Sequence, residues 1–279
     1  MMSDDAKLFN CQSIQFIGGE PLLDKDKLFT LIEYSKRLKI PAISLVTNGV
    51  LLTSGIIDWL VKKNVHIVLP FHSWQSSIHD SITGYEGSHI KVLEAIQEIQ
   101  KQHGKFSIEM VITKRNQNDF QKTKDFLKKQ EIENINSQIL RTGRKDIFAE
   151  KYTNKAYRTE AQFPNISKNQ FFKNKEGHPC WDGKVAVLPN GDVLPCIMAY
   201  TNKIGSIKKL TLRQIIRTSD LIDKYWDLTK DKIEVCQDCE YRYACSDCRV
   251  LESVDGSLYG KNKYCNYNPS TGIWEKFEE

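Results

Sequence analysis

No window of this chain approaches the roughly 18 consecutive apolar residues that a membrane-spanning helix needs. The N-terminal stretch MMSDDAKLFN carries acids where a secretory signal needs bases, and no apolar segment follows it. These absences predict a cytoplasmic chain with no membrane partner. No block of six like charges occurs either. The 40 basic and 35 acidic side chains, net +5, are spread over 279 residues. Nucleic-acid binders gather their basic side chains on one stripe, so nucleic acid is not an expected partner, and the surplus reads as a solvated, lysine-rich surface. Repeats, low-complexity tracts, a phosphate-binding loop and a serine or cysteine triad pattern are all missing. Cysteine is the most uneven absence: residues 1–179 hold one, Cys11, whereas Cys180 to Cys265 hold seven. Structural disulfides are rare in a reducing compartment, so clustered cysteines point to metal or redox chemistry. The length and the 40% hydrophobic content allow about two domains, each with its own core.

The first half alternates short apolar runs with helical patterns. Strands are expected at SIQFIG (13–18), AISLVTNG (42–49), VHIVLPF (65–71), FSIEMVIT (106–113) and INSQIL (135–140). Helices are expected over 26–38, 54–63 (capped by Thr53 or Ser54), 89–102 and 119–130. Strict alternation implies about five parallel strands joined by right-handed crossovers, an α/β open arc or partial (β/α) barrel. Ligands of such sheets sit at the C-terminal strand ends, where GGEP (18–21) and TNG (47–49) both fall. The division expected is 1–144 for this domain, 145–176 for a polar connector with one short helix, and 177–279 for a cysteine-rich α+β domain. In the last, VAVL-PNGD-VLPC reads as a hairpin with Asn190-Gly191 supplying positive φ angles, and 210–228 as one helix.

The cysteines run Cys180-x10-Gly191-x4-Cys196, then Cys236-x2-Cys239-x5-Cys245-x2-Cys248, then Cys265. A Cys-x2-Cys pair lets two thiolates reach one metal centre from a single turn, and two pairs make a metal site the natural reading. Seven thiolates exceed one tetrahedral zinc and suit two centres. A four-cysteine zinc knuckle that leaves Cys180, Cys196 and Cys265 as buried thiols is the alternative, and with it a zinc-stabilised structural or interaction protein.

The pattern resembles the SPASM domain, an extension of some radical SAM (S-adenosylmethionine) enzymes with the signature Cys-x9–15-Gly-x4-Cys, Cys-x2-Cys-x5-Cys-x3-Cys, Cys. The last spacing here is two residues, Ser246 and Asp247, instead of three. The resemblance implies two [4Fe–4S] clusters: one on Cys180, Cys196 and Cys248, the other on Cys236, Cys239, Cys245 and Cys265. The first would keep an open iron, or take Asp182 or a substrate thiolate. Residues 12–142 similarly resemble a radical SAM core in GGEP, TNGVLL (47–52) and HDSITG (79–84), with Thr83 where arginine is common. It implies that the backbone of Gly18, Gly19, Glu20 and Pro21 lines a pocket for the amino end of S-adenosylmethionine. The glycines let backbone approach a ligand, and Pro21 starts a helix.

That family carries a Cys-x3-Cys-x2-Cys loop before the GGEP strand, and this sequence contains no such motif. Cys11 lies too late to replace it and reads as a buried or half-buried thiol. Radical cleavage of S-adenosylmethionine needs that cluster, so this cofactor's chemistry is not expected of the chain as written, unless an N-terminal part is missing. His72, Trp74 and His79 fall near a strand end and read as packing or capping residues. Glu20 is equally accounted for by charge complementarity at a helix N-terminus. The function expected is an iron–sulfur SPASM protein in the maturation of a ribosomally made precursor peptide, with an ATP-grasp ligase as a further partner by resemblance to grasp-with-SPASM cassettes. A complete radical SAM peptide maturase is the alternative.

Overall fold

The computed structural model describes residues 10–139, 166–245, 248–250 and 257–275. They belong to two compact units, one within residues 3–154 and one within 155–279. In the first, β1 (Ser13–Phe16), β2 (Ala42–Val46), β3 (His66–Pro70), β4 (Phe106–Ile112) and β5 (Ile135–Ile139) form one sheet in sequence order. Every pairing is parallel, with Ser13 opposite Ala42, Ser44 opposite His66, Ile67 opposite Phe106 and Ile108 opposite Ile135. Parallel neighbours need crossovers, and helices α1 (Lys25–Arg37), α2 (Ser54–Lys62), α4 (Ser88–Lys101) and α5 (Phe120–Lys129) supply them. The strand and helix order expected from the alternation is the order found.

Local chemistry sets the helix ends. The Asp24 carboxylate accepts the Lys27 N–H at 3.3 Å and starts α1, and Lys36 and Arg37 sit in its last turn against the carbonyl end. Thr53 caps α2 through the Ile56 N–H. An extra helix, α3 (Ser76–Thr83), lies between β3 and α4. The Asp80 carboxylate closes the α3–α4 corner, accepting from the Gly87 N–H at 2.8 Å, the His89 N–H at 2.9 Å and the Ser88 hydroxyl at 2.8 Å. Leu45, Ile67, Leu69, Phe71, Ile108 and Met110 make the sheet's side of the core, and Ile32, Ile57, Leu60, Val92, Ile96, Ile99 and Leu127 the helices' side. Full burial of each such side chain contributes about 1.5–3 kcal/mol.

The second unit has a three-stranded antiparallel sheet of β6 (Ala186–Val187), β7 (Asp192–Leu194) and β8 (Gly205–Ser206). The β6–β7 hairpin is the one expected, but its turn differs: only Gly191 takes a positive φ, +85°, while Asn190 does not. The Gly191 N–H closes a four-residue turn onto the Leu188 carbonyl at 2.8 Å, and Asn190 Oδ1 accepts the Asp192 N–H at 3.0 Å. This is a type I turn closed by one left-handed glycine.

The helix expected over 210–228 is two, α7 (Leu212–Thr218) and α8 (Asp220–Trp226), broken at an extended Ser219. The run Thr218-Ser219-Asp220 favours caps over helix interiors, which breaks the helix there. Trp181, Val193, Ile204, Ile215, Ile222, Tyr225 and Leu228 form this unit's core. A short helix, α6 (Lys168–Glu176), precedes it, and a hairpin of β9 (Tyr267–Asn268) and β10 (Ile273–Trp274) ends it. The expected connector over 145–176 lies outside the described residues up to 165. No described helix is long and apolar enough to cross a membrane.

Candidate functional site

The GGEP turn follows β1 and the TNG turn follows β2, so the two lie side by side at the C-terminal edge of the sheet. Glu20 joins them. Its Oε1 accepts the Leu22 N–H at 3.0 Å and the Thr47 hydroxyl at 2.7 Å, and its Oε2 accepts the Asn48 N–H at 2.8 Å. The carboxylate therefore caps the short 3-10 helix Pro21–Asp24 and ties both turns together. Helix-end charge complementarity is only part of its role. A Cβ built on Gly18 or Gly19 would meet nothing within 4 Å, so their backbone faces open space. Gly49 is different: at φ +82° its Cβ would lie 3.2 Å from Leu69 Cδ2 and 3.3 Å from Val92 Cγ2. The TNG turn rests directly on β3 and α4.

Three histidines meet around Phe71, just past β3. His72 and His89 are almost fully buried and His79 completely so. His79 and His89 both pack against Phe71, with ring centroids 5.4 and 5.2 Å away. The His72 N–H donates to His79 Nδ1 at 3.1 Å, and the Val111 N–H donates to His72 Nδ1 at 3.3 Å. Both rings are thus acceptors on Nδ1 and carry their proton on Nε2. Burial pushes the His72 pKa down to about 4. Burial, reinforced by the neighbouring His72 and His89, pushes His79 down to about 3 against the opposing pull of Asp80. Burial also lowers His89. These are packing and capping residues, as read from the sequence for His72 and His79. His89 lacked any signal there.

Asn116, 1% exposed, secures the same corner, donating from Nδ2 to the His72 and Val111 carbonyls at 2.8 and 2.9 Å. Trp74 is part-exposed and its N–H donates to Thr123 Oγ1 at 3.2 Å. Thr83 bonds to Ser88 at 2.7 Å, and an arginine from elsewhere reaches this helix, Arg115 Nη1 donating to the Ser81 carbonyl at 2.5 Å. Cys11 is half-buried, its thiol donating to the Ser13 carbonyl at 3.2 Å.

In the second unit none of the seven cysteines is in a disulfide. Within two sets of them, one cysteine feels the charge of the others. Cys180 sits on a turn that His178 holds, its Nδ1 accepting the Cys180 and Trp181 N–H groups at 3.1 Å each while its ring stacks on Trp181. Cys196 follows β7 and lies within electrostatic reach of Cys180. Burial pushes the Cys180 thiol up, Lys184 opposes this, and Cys196 adds to it. The second set is Cys236, Cys239 and Cys265. Burial pushes Cys239 up, the Tyr241 N–H on its sulfur opposes, and Glu240, Cys236 and Cys265 raise it further. Cys245 hangs from the same loop, its N–H donating to the Tyr241 carbonyl at 2.8 Å.

Cys248 is half-buried, and its neighbours Ser246 and Asp247, which carry the short spacing, lie outside the described residues. The next residue, Arg249, is fully buried, with Nη1 donating to the Leu258 and Gly260 carbonyls. The Asp182 carboxyl carbon packs over Gly177, 3.2 Å from where a Cβ there would stand.

Iron–sulfur clusters are held by thiolates and tuned by hydrogen bonds to sulfur. The donor set fits: each set is all sulfur, and each has a backbone N–H on a sulfur, Met198 on Cys196 at 3.2 Å and Tyr241 on Cys239. Among the described residues no group of three or more His, Cys, Asp or Glu closes around a single ion. Sequence reasoning missed what surrounds the second set. Tyr267, two residues past Cys265, donates its phenol to Glu240, beside Cys239, and its ring packs against Tyr241 and Trp274 at 5.3 and 4.9 Å.

Comparison with known proteins bears on both units. The family model of the radical SAM superfamily matches residues 2–127, and that of the SPASM iron–sulfur cluster-binding domain matches residues 180–240. The AdoMet-dependent heme synthase of Methanosarcina barkeri is 25% identical over 291 residues, covering 90% of this chain and 81% of that protein. The radical SAM cyclopropyl synthase TigE of Paramaledivibacter caminithermalis is 38% identical over 91 residues, 31% of this chain but 19% of TigE. Among solved structures, native anSMEcpe with bound AdoMet superposes with a TM-score of 0.67 at 19% identity, covering 94% of this chain and 83% of that one. The same protein with AdoMet and the Cp18Cys peptide gives 0.68 at 18% identity, over 94% and 84%. At such identity the likeness is one of fold. The chain is therefore built from a radical SAM superfamily domain followed by a SPASM iron–sulfur cluster-binding domain.

Proposed function

We propose that this chain acts in the maturation of a ribosomally made peptide, carrying two [4Fe–4S] clusters. Cys180, Cys196 and Cys248 would hold one, and Cys236, Cys239, Cys245 and Cys265 the other. The observation that carries this reading is the order and spacing of the seven cysteines, in a stretch whose residues 180–240 match the SPASM iron–sulfur cluster-binding model. The influence of Cys196 on Cys180, and of Cys236 and Cys265 on Cys239, runs within each side of the assignment that the SPASM resemblance implies. When bound, such clusters supply electron transfer and, on the three-cysteine side, an iron site open to a substrate thiolate. The chain's own part is to present thiolates on turns fixed by His178 and by the Cys236–Cys239 loop, and to stabilise them with the Met198 and Tyr241 amides. A peptide substrate is supported by the fold neighbour seen with AdoMet and a peptide bound. The ATP-grasp ligase partner rests on the cassette resemblance alone.

Gly18, Gly19, Glu20 and Pro21 are the residues we assign to an AdoMet pocket. The open space over both glycines and the Glu20 cross-tie support this. This pocket also favours a second reading, a radical SAM peptide maturase whose Cys-x3-Cys-x2-Cys loop is encoded upstream of this sequence. Extending the reading frame discriminates the two.

The test of the cluster assignment is iron and labile sulfide per chain after anaerobic reconstitution. About eight irons are expected for two [4Fe–4S] clusters. About four would restrict the assignment to one set, and zinc in place of iron would overturn it.

A further inference from the structure

We infer that Glu240 and Tyr267 form a hydrogen-bonded pair, its phenol buried and its carboxylate exposed, that tunes the reduction potential of the cluster on Cys236, Cys239, Cys245 and Cys265, an inference that rests on that ligand assignment. The two residues belong to different ligand segments. Glu240 follows Cys239 directly, and Tyr267 lies two residues beyond Cys265. Tyr267 is 3% exposed, and its phenol donates to Glu240 Oε1. The β9–β10 hairpin fixes the ring, with Tyr267 opposite Trp274 in register. Trp274 and Tyr241 pack against it with ring centroids 4.9 and 5.3 Å away. The peptide link to Cys239 keeps Glu240 beside that ligand, and the bond from Tyr267 ties it to the segment that carries Cys265.

The direction of the effect follows from Coulomb's law. A reduced cluster carries one more negative charge than an oxidised one. A nearby carboxylate therefore opposes reduction and lowers the potential, less strongly from an exposed position such as that of Glu240 than from a buried one. The Tyr267 O–H draws off part of that charge by hydrogen bonding. Removing the two groups must then shift the potential in opposite directions. Glu240→Gln deletes the charge and raises the potential. Tyr267→Phe keeps the ring and its packing but bares the carboxylate, and lowers it. A pair that merely clamps the two segments together would move neither potential, although it would affect stability in both variants.

The experiment is an EPR-monitored redox titration of the full-length reconstituted chain and both variants, with iron counted in each. Opposite shifts at unchanged iron content are expected. Unchanged potentials with full iron would overturn the tuning pair alone. A parent chain without iron would overturn the ligand assignment and the pair with it. Where Tyr267→Phe fails to hold iron, Glu240→Asp decides: it withdraws the carboxylate by one methylene, and an unshifted potential would overturn the pair.

Discussion

The backbone N–H of His72 donates to Nδ1 of His79, 3.1 Å away, at the C-terminal end of β3. This bond exists only while His79 is neutral on that nitrogen. The folded pKa values, about 4 for His72 and about 3 for His79, lie below the ordinary value of 6.5, so the unfolded chain binds more protons between them. Stability contributed by these rings is complete above pH 6.5 and is lost as pH falls towards 4. For His72 alone the shift corresponds to about 3 kcal/mol. Denaturant unfolding followed from pH 7.5 to pH 4.5 is expected to show a steady loss of stability for the first unit. A pH-independent midpoint over that range would contradict buried neutral imidazoles.

Gly49 and Gly19 make opposite predictions. Gly49→Ala forces a Cβ against Leu69 and Val92 at a φ of +82°. Left-handed strain and overpacking together should cost about 2–4 kcal/mol. Gly19→Ala meets nothing within 4 Å, and should leave stability within about 0.5 kcal/mol. Its methyl enters the open space, so calorimetric binding of AdoMet is where its effect should appear. Equal thermal shifts in the two variants would refute the difference in surroundings.

Glu20→Gln tests the cross-tie between the GGEP and TNG turns. Glutamine can keep the Oε1 contacts to Leu22 and Thr47, but it then presents an NH2 to the Asn48 N–H. Two donors face each other, and the Asn48 amide loses its acceptor. The cost expected is about 1–3 kcal/mol. Hydrogen exchange should report it locally, as faster exchange at Asn48 and Gly49 with β4 unchanged.

Much of this was legible in the chain, and what was not has physical causes. The five strands announced themselves through β-branched runs bounded by turn residues. α3 did not, because SSIHDSIT is only eight residues long and has no apolar stripe beyond Ile78 and Ile82. The hairpin at Gly191 was visible in PNGD, but the sequence cannot say that one left-handed residue suffices. The candidate metal ligands were visible because thiolate pairs on one turn have a fixed short spacing. Their surroundings were not: Glu240 and Tyr267 are 27 residues apart, and only the folded hairpin brings a phenol to that carboxylate. His72, His79 and His89 likewise meet across β3, α3 and α4, a contact that no local period encodes.

Cys239→Ala addresses whether metal holds the second unit together. Among its described residues, the segment from Lys230 to Cys265 has little regular structure, two short 3-10 turns and backbone bonds such as Cys245 N–H to the Tyr241 carbonyl. A segment so poor in secondary structure depends on its cross-links, and in small metal-bound domains the ligand binding energy is folding energy. Removing one thiolate from Cys236, Cys239, Cys245 and Cys265 should empty that site, lowering iron by about four per chain. The other set should keep its cluster, because it draws on different cysteines. Limited proteolysis should then cut within 230–265 while the 10–139 fragment survives. The same cleavage should follow chelation of the parent chain and be suppressed by reconstitution. A variant that retains full iron and full protease resistance would show that Cys239 is not a ligand. One that loses iron but keeps its resistance would show that the Glu240–Tyr267 bond and the aromatic packing hold the segment without metal.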